Sequence, residues 1–296
     1  MTHGVHAHAH HGTVSPLISL ALILLAFFYF LGWLRIRNAS PVLLPKWRLV
    51  AFTGGLFLLW IALGSPLASL DHQLLTAHML KHLLVMTISA PLILLGEPSW
   101  PLLCGLPKWW VGPSLLLPRR TPLLFGYVLS NSVFAWLAGA VTVVAWHVPS
   151  VFRLGSSSHS WHTLQDLSFL CAGLLFWRPI VRHCASDAEH LQWSIPVYLF
   201  LATLPCDILS AFLTFCGRVV YPSYLSTMRF ASVSPLGDQE FAGAMMWVWV
   251  TFAYLLPAIV ITMRILAPNR ACREAENSSV CTSVAKELSS SRTEVI

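Results

Sequence analysis

The chain has 296 residues, 56% of them hydrophobic and only 10% charged, with a mean hydropathy of +0.68. Soluble domains carry about 25% charged residues, so this composition excludes an ordinary soluble protein and describes a polytopic membrane protein. The net charge of +6 does not point to nucleic acid, because the basic residues lie mostly between apolar runs and act as topology signals.

The N-terminal string MTHGVHAHAHHG carries His3, His6, His8, His10 and His11. Short histidine-rich tracts bind metals. A free amine followed by a histidine at the third position chelates Cu(II) or Ni(II) with backbone amides, a spacing that removal of Met1 would shift. No cleavable signal peptide is expected, since the N-terminus has no Lys/Arg-rich region and the first apolar run is long enough to span. Residues 1–13 are therefore read as an extracytoplasmic histidine-rich segment.

Seven apolar windows follow, each near the length a bilayer-crossing helix needs. They run at Val14–Leu34, Leu49–Gly64, Leu74–Gly96, Leu123–Ala145, His162–Val181, Ile195–Phe215 and Phe241–Leu266. The expected fold is an all-α membrane protein, a bundle of about seven transmembrane helices over residues 14–268 in the inner (plasma) membrane. Residues 269–296 turn polar and Ser-rich and predict a disordered cytoplasmic tail. Trp33, Trp47, Trp100, Trp109, Trp110, Trp146, Trp161 and Trp177 fall near proposed span ends, as interfacial aromatic belts do.

Basic residues set the expected orientation. With the N-terminus outside and the C-terminus inside, fourteen of the Lys/Arg residues lie on the inner side. Only Arg153, Arg218 and Arg229 lie on the outer side, and Lys81 lies within a span. This is a positive-inside bias. The same orientation gathers His72, His78, His82, His147, His159 and His162 at the outer face, together with Asp71, Asp166, Asp238, Gln239 and Glu240.

His78 and His82 stand one helical turn apart within the third span, so both project from one face. Imidazole at membrane depth is costly and faces the protein interior or a cavity. Met86 continues the stripe one turn deeper and Met79 lies beside it. A His/His/Met stripe suits copper, as thioethers favour Cu(I), whereas an interhelical hydrogen-bonded pair with Met as filler is the plainer alternative. Lys81 would oppose a bound cation unless it snorkels to the outer surface.

His147 closes the fourth span in AWHVPS, where Pro149 ends the helix and leaves the imidazole at the outer rim. His162 and Asp166 open the fifth span at i, i+4. There the carboxylate can orient the histidine, bind a metal or relay a proton, while a simple interhelical hydrogen bond is an equal alternative. Asp238 precedes the last span, where an acid also serves as helix cap, and Gly243 permits close helix approach. His78, His82, His147, His162, Asp166, Met86 and Asp238 are the candidate metal residues. The seven cysteines form no CxxC pair; Cys206, beside Asp207, reads best as a buried structural thiol.

At these strings the chain resembles the CtaG family of assembly factors for caa3-type cytochrome c oxidase, which is distinct from the single-span copper chaperones sharing that name. The matching passages are HMLKHLLVMTISAPLILLGEP, WHVPSVF, HTLQDLSFLCAGLLFWRPIV, YPSY and PLGDQEFAGAMMWV, from about His78 to Trp247. The resemblance implies a helical membrane protein needed to form active oxidase, with oxidase subunits and the lipid bilayer as partners and copper as the delivered metal. Two positions depart from the family pattern. Gln165–Asp166 stands where relatives carry a Glu–His pair, and LPCDILSAF lacks a glycine expected near Ser210.

The leading expectation is thus a non-enzymatic assembly factor holding copper at the outer face. The alternative is a haem-binding redox protein with bis-His ligation, although no CxxCH attachment string occurs. A copper transporter would need ligands through the full bilayer depth, whereas here they thin out below Met86. No nucleophile–base pattern supports catalysis.

Overall fold

Within a bilayer every backbone N–H and C=O must be satisfied inside the segment, so long apolar stretches become helices. The computed structural model describes residues 16–39, 44–65, 67–107, 131–185, 193–225 and 233–266, and these are helical with no strand among them. Among the described residues six helices are long and apolar enough to cross a membrane, and seven if one bent pair is a single span.

Helix α1 covers Pro16–Ala39 and α2 covers Lys46–Gly64. A short α3, Leu67–Leu70, leads into α4, Leu75–Leu95. Then come α5, Ser99–Gly105, and α6, Ser132–His147. After α6 the chain turns by 81° into α7, Pro149–Ser157. The remaining helices are α8, His159–Ala185, α9, Ser194–Phe215, and α10, Pro235–Leu266.

The expected spans are therefore present with shifted limits. The first runs on to Ala39, and the last begins at Pro235 rather than Phe241. The proposed fourth span reaches back into residues outside those described, as do the N-terminal histidine segment and the C-terminal tail.

Helix α4 is the most buried of the spans and is the organising element. Its partners α8 and α10 run parallel to it: His162 and Asp238 meet its beginning, while Trp177 and Trp249 meet its middle. Helix α6 runs the other way, with His147 beside Met79 and Gly139 beside Met86. The middle of α4 is a π-helical stretch, Leu84–Ser89. Pro91 has no N–H to give and its ring crowds the carbonyl four residues back. Just before it, the Ala90 N–H reaches five residues back to the Val85 carbonyl. Such one-turn widenings occur often at functional sites.

Away from α4, apolar packing and small residues hold the helices together. Tyr29 of α1 stacks on Phe52 of α2 at 3.9 Å between ring centres and donates to the Gly96 carbonyl at 2.7 Å. Helices α1 and α5 touch through Gly32 and Gly105; a Cβ on Gly32 would lie 1.7 Å from the Pro101 carbonyl oxygen. Helices α9 and α10 close at Gly243, where a Cβ would lie 2.6 Å from Thr214 Oγ1, in line with the close approach expected there.

The tryptophans divide. Trp47, Trp100 and Trp161 are exposed as a belt requires, but Trp33 and Trp177 are buried. Trp177 donates its indole N–H to the Met86 carbonyl at 2.9 Å, so it belongs to the interior and not to an interface. Trp109 and Trp110 lie outside the described residues.

Candidate metal centre

The first turn of α4 lacks a side-chain cap of its own. Asp238, from the start of α10, supplies one. Its Oδ2 accepts from the Leu75 N–H at 2.7 Å, and its Oδ1 accepts from the Thr76 hydroxyl at 2.6 Å and the Thr76 N–H at 3.2 Å. A carboxylate there satisfies orphan donors and complements the helix dipole. Both oxygens of Asp238 are occupied in this way, so it aims the histidine helix and points no oxygen at His78 or His82.

His78 and His82 are both buried, and their Nε2 atoms face each other at 3.1 Å. Phe152 of α7 packs edge-on against His78, and Phe169 of α8 stacks on His82 at 4.1 Å. The amide of Gln165, also buried, lies 3.4 Å from His78 Nε2. It enters past Gly155, where a Cβ would lie 2.8 Å from Gln165 Oε1. The unpaired Nδ1 of His82 is buried and lies 3.9 Å from Asp166 Oδ1.

A charged cluster abuts this pair. Lys81 does not snorkel: its side chain is 1% exposed and its Nζ contacts Asp71 Oδ2 at 2.6 Å, His162 Nε2 at 2.8 Å and Asp166 Oδ1 at 2.9 Å. Asp71 Oδ2 and His162 Nε2 take up two of its three protons, Asp166 pairs with its charge, and the Oδ1 atoms of Asp71 and Asp166 are buried without a hydrogen bond. The His162 Nε2 also lies 3.0 Å from Asp71 Oδ2. It accepts from Lys81 in one tautomer and donates to Asp71 in the other, and both hold it in the cluster.

Asp71 lies in the turn before α4. Burial alone would raise its carboxyl, but the hydrogen bond from His162 and the charge of Lys81 overcome this and hold it well below the usual carboxylate range. Tyr224 locks the turn by donating to the Asp71 carbonyl at 2.7 Å. Asp71, His72 and His162 form a group with metal-like spacing, yet the Lys81 ammonium already stands against Asp71 and His162. Two carboxylates, one ammonium and the His162 ring thus stand beside the histidine pair.

His147 is the last residue of α6 and is buried, with Tyr221 donating to its carbonyl at 3.0 Å. Its Nδ1 meets the Val143 carbonyl at 2.6 Å and its Nε2 meets Met79 Sδ at 3.2 Å. Below them lies a cavity of about 30 Å³ lined by Met79, His82, Met86, His147, Cys206 and Met246 among apolar side chains.

The seven candidate residues therefore separate. His78 and His82 form the pair; His162 and Asp166 join the Lys81 cluster; His147 and Met86 line the cavity; Asp238 caps α4. Asp71, Gln165, Met79, Cys206 and Met246 complete these groups without having been singled out as ligands. Of these, Met79 had a sequence signal in its place beside His78, and Cys206 in its neighbour Asp207. Nothing local marked Met246.

No curated protein and no solved structure matches this chain. A family model described as cytochrome c oxidase caa3 assembly factor matches residues 27–267, a stretch that contains every residue of the pair, the cluster and the cavity. The chain belongs to this family of caa3-type cytochrome c oxidase assembly factors.

Proposed function

We propose that this protein supports assembly of cytochrome c oxidase by holding copper between His78 and His82 and yielding it to the nascent oxidase at the outer membrane face. One observation carries the proposal: two buried imidazole nitrogens converge to 3.1 Å on one helix face. Bonds of about 2.0–2.1 Å, as for zinc, separate two ligating nitrogens by about 3.3–3.4 Å in a tetrahedral site, so the pair lies within a few tenths of an ångström of ligating geometry. Asp71 and Asp166 pair with the Lys81 ammonium and so offset the repulsion it would offer a cation there. Asp166, behind the His82 ring, stands where carboxylates orient ligating histidines.

Family membership supports the oxidase and the membrane as partners and a helper's role without catalysis. The lysine and arginine distribution supports an outer position for the site. Arg35, Arg37, Lys46, Arg48, Arg178, Arg182 and Arg264 stand toward the opposite end of the bundle. A bis-His haem needs two imidazoles opposed across a macrocycle. Here the two nitrogens face each other at 3.1 Å beside a cavity of about 30 Å³, which favours an ion over a haem.

The test is the double variant His78→Ala/His82→Ala, compared with wild type for bound copper and oxidase maturation. Alanine is well tolerated in a spanning helix, and removing buried imidazoles eases partition into lipid, so membrane levels should hold. Copper content and oxidase activity should fall together. Normal oxidase activity in this variant would overturn the assignment.

A further inference from the structure

We propose a second, deeper site, built from Met79 and His147 with Met86, Cys206 and Met246 around them, that takes monovalent copper. It extends the copper reading above but stands on different side chains.

The His147 ring carries the first argument. A carbonyl only accepts, so the 2.6 Å contact with the Val143 oxygen requires a proton on Nδ1. In the neutral ring Nε2 then presents a lone pair, and it faces the Met79 sulfur, another lone-pair donor, at 3.2 Å. Two lone pairs held at this distance gain little from each other and are placed to share an electrophile. A second proton on His147 would bury a charge, which needs a counter-charge, and no carboxylate lines the cavity.

Room and softness carry the second. A water-sized occupant needs about 10–15 Å³, and the cavity offers about 30 Å³. With bonds near 2.0 Å to nitrogen and 2.3 Å to sulfur, trigonal or tetrahedral ligation sets the two atoms about 3.5–3.7 Å apart. Met79 has the rotamer freedom to open by that margin. Neutral thioethers favour Cu(I) over the harder Zn(II), Mg(II) or Ca(II), and a thiol that ligates a metal gives up its proton, so Cys206 in the cavity lining supplies the single negative charge that Cu(I) needs there while its proton leaves to solvent. The framework is fixed around these donors by the Trp177–Met86 and Tyr221–His147 hydrogen bonds.

His82 belongs to both places. Its Nε2 faces His78, and its ring lines the cavity. Copper kept as Cu(I) can therefore pass between the two positions by ligand exchange alone, with no oxidant or reductant.

The experiment uses the full-length protein in detergent micelles under anaerobic conditions. Cu(I) is titrated against a competing chelator, and X-ray absorption reads its ligands. His78→Ala breaks the outer pair while leaving every cavity-lining side chain in place. This variant should retain one Cu(I) with sulfur among its ligands and no comparable affinity for zinc. Adding Met79→Leu should weaken that Cu(I) by about tenfold or more, the least that even outer contacts to a metal contribute. The swap conserves volume, and an unchanged melting temperature confirms that the fold persists. If His78→Ala binds no Cu(I) while wild type binds it, or binds it through nitrogen and oxygen only, the second site is wrong and the outer pair stands. Unchanged affinity after Met79→Leu also overturns it. A wild type that binds no Cu(I) but does bind Cu(II) would leave only the outer pair.

Discussion

Lys81 and Met79 stand two residues apart on α4 and look into opposite kinds of interior. Around Lys81 a buried ammonium lies against two carboxylates and an imidazole, so charge is answered by charge. Around Met79 the donors face one another, with imidazole nitrogen against sulfur and a small cavity beneath. The contrast separates structure from ligand chemistry. A charge-paired cluster braces the helix through its ion pairs, whereas soft donors that face one another leave a place for an electrophile. Histidine at membrane depth has two explanations, and α4 meets both, with His162 of α8 beside Lys81 and His147 of α6 beside Met79.

The largest effect should come from breaking the charge-paired side. Lys81→Met leaves buried Asp71 and part-buried Asp166 without their cation, and removing one partner of a buried pair costs about 3–5 kcal/mol. A marked fall in melting temperature in detergent is expected, with recovery when Asp71→Asn and Asp166→Asn are added. A wild-type melt for Lys81→Met would mean that water, not the ammonium, satisfies the carboxylates.

Acid should act on the same side. The Asp71 carboxyl is held below its ordinary value of 3.8 in the folded protein, so the unfolded chain takes up its proton first as pH falls. Its stabilising contribution is thus complete above the ordinary carboxylate range and is lost progressively below it. Melting temperature followed from pH 7 down to pH 3 should decline more steeply for wild type than for Asp71→Asn. Parallel curves would place the acid-sensitive group elsewhere.

A smaller change should follow from Asp238→Ala, which removes the cap that α10 gives to α4. Loss of an N-cap costs about 0.5–2 kcal/mol, and here it also loosens the start of the helix that aims both groups of donors. Modest loss of stability with a drop in copper affinity at His78/His82 is expected, read by melting and by metal titration. Intact affinity would show that the pair is positioned without the cap.

Smallest of all should be the structural effect of Met79→Leu on the side of the soft donors. A volume-conserving swap costs less than about 1.5 kcal/mol, so melting should barely move even as Cu(I) binding in the His78→Ala background weakens. A large destabilisation there would make Met79 a packing residue like its apolar neighbours and would erase the contrast with Lys81.

Much of the architecture was legible along the chain. Hydrophobic length alone located the spans to within a few residues at most ends, and the i, i+4 spacing of His78 and His82 placed both on one face. Burial of histidine at that depth and the close approach at Gly243 each had a local cause that the sequence displays, whereas Asp238, read as a cap for its own helix, caps α4 instead. The oxidase-assembly family was legible too, through several motifs in order.

What the chain order could not show were the partnerships between helices. Snorkelling is the usual fate of a lysine near a span end, and only the meeting of Asp71 and Asp166 around it made burial of Lys81 possible. Pro149 does end α6 as its chemistry requires, but the burial of His147 comes from its meeting with Met79 of α4 and Tyr221, both far away in the chain. Periodicity described single helices well because each helix satisfies its own backbone. Which donors share a cavity depends on how α4, α6, α9 and α10 are rotated against one another, and that is decided by side-chain packing between segments far apart in the chain.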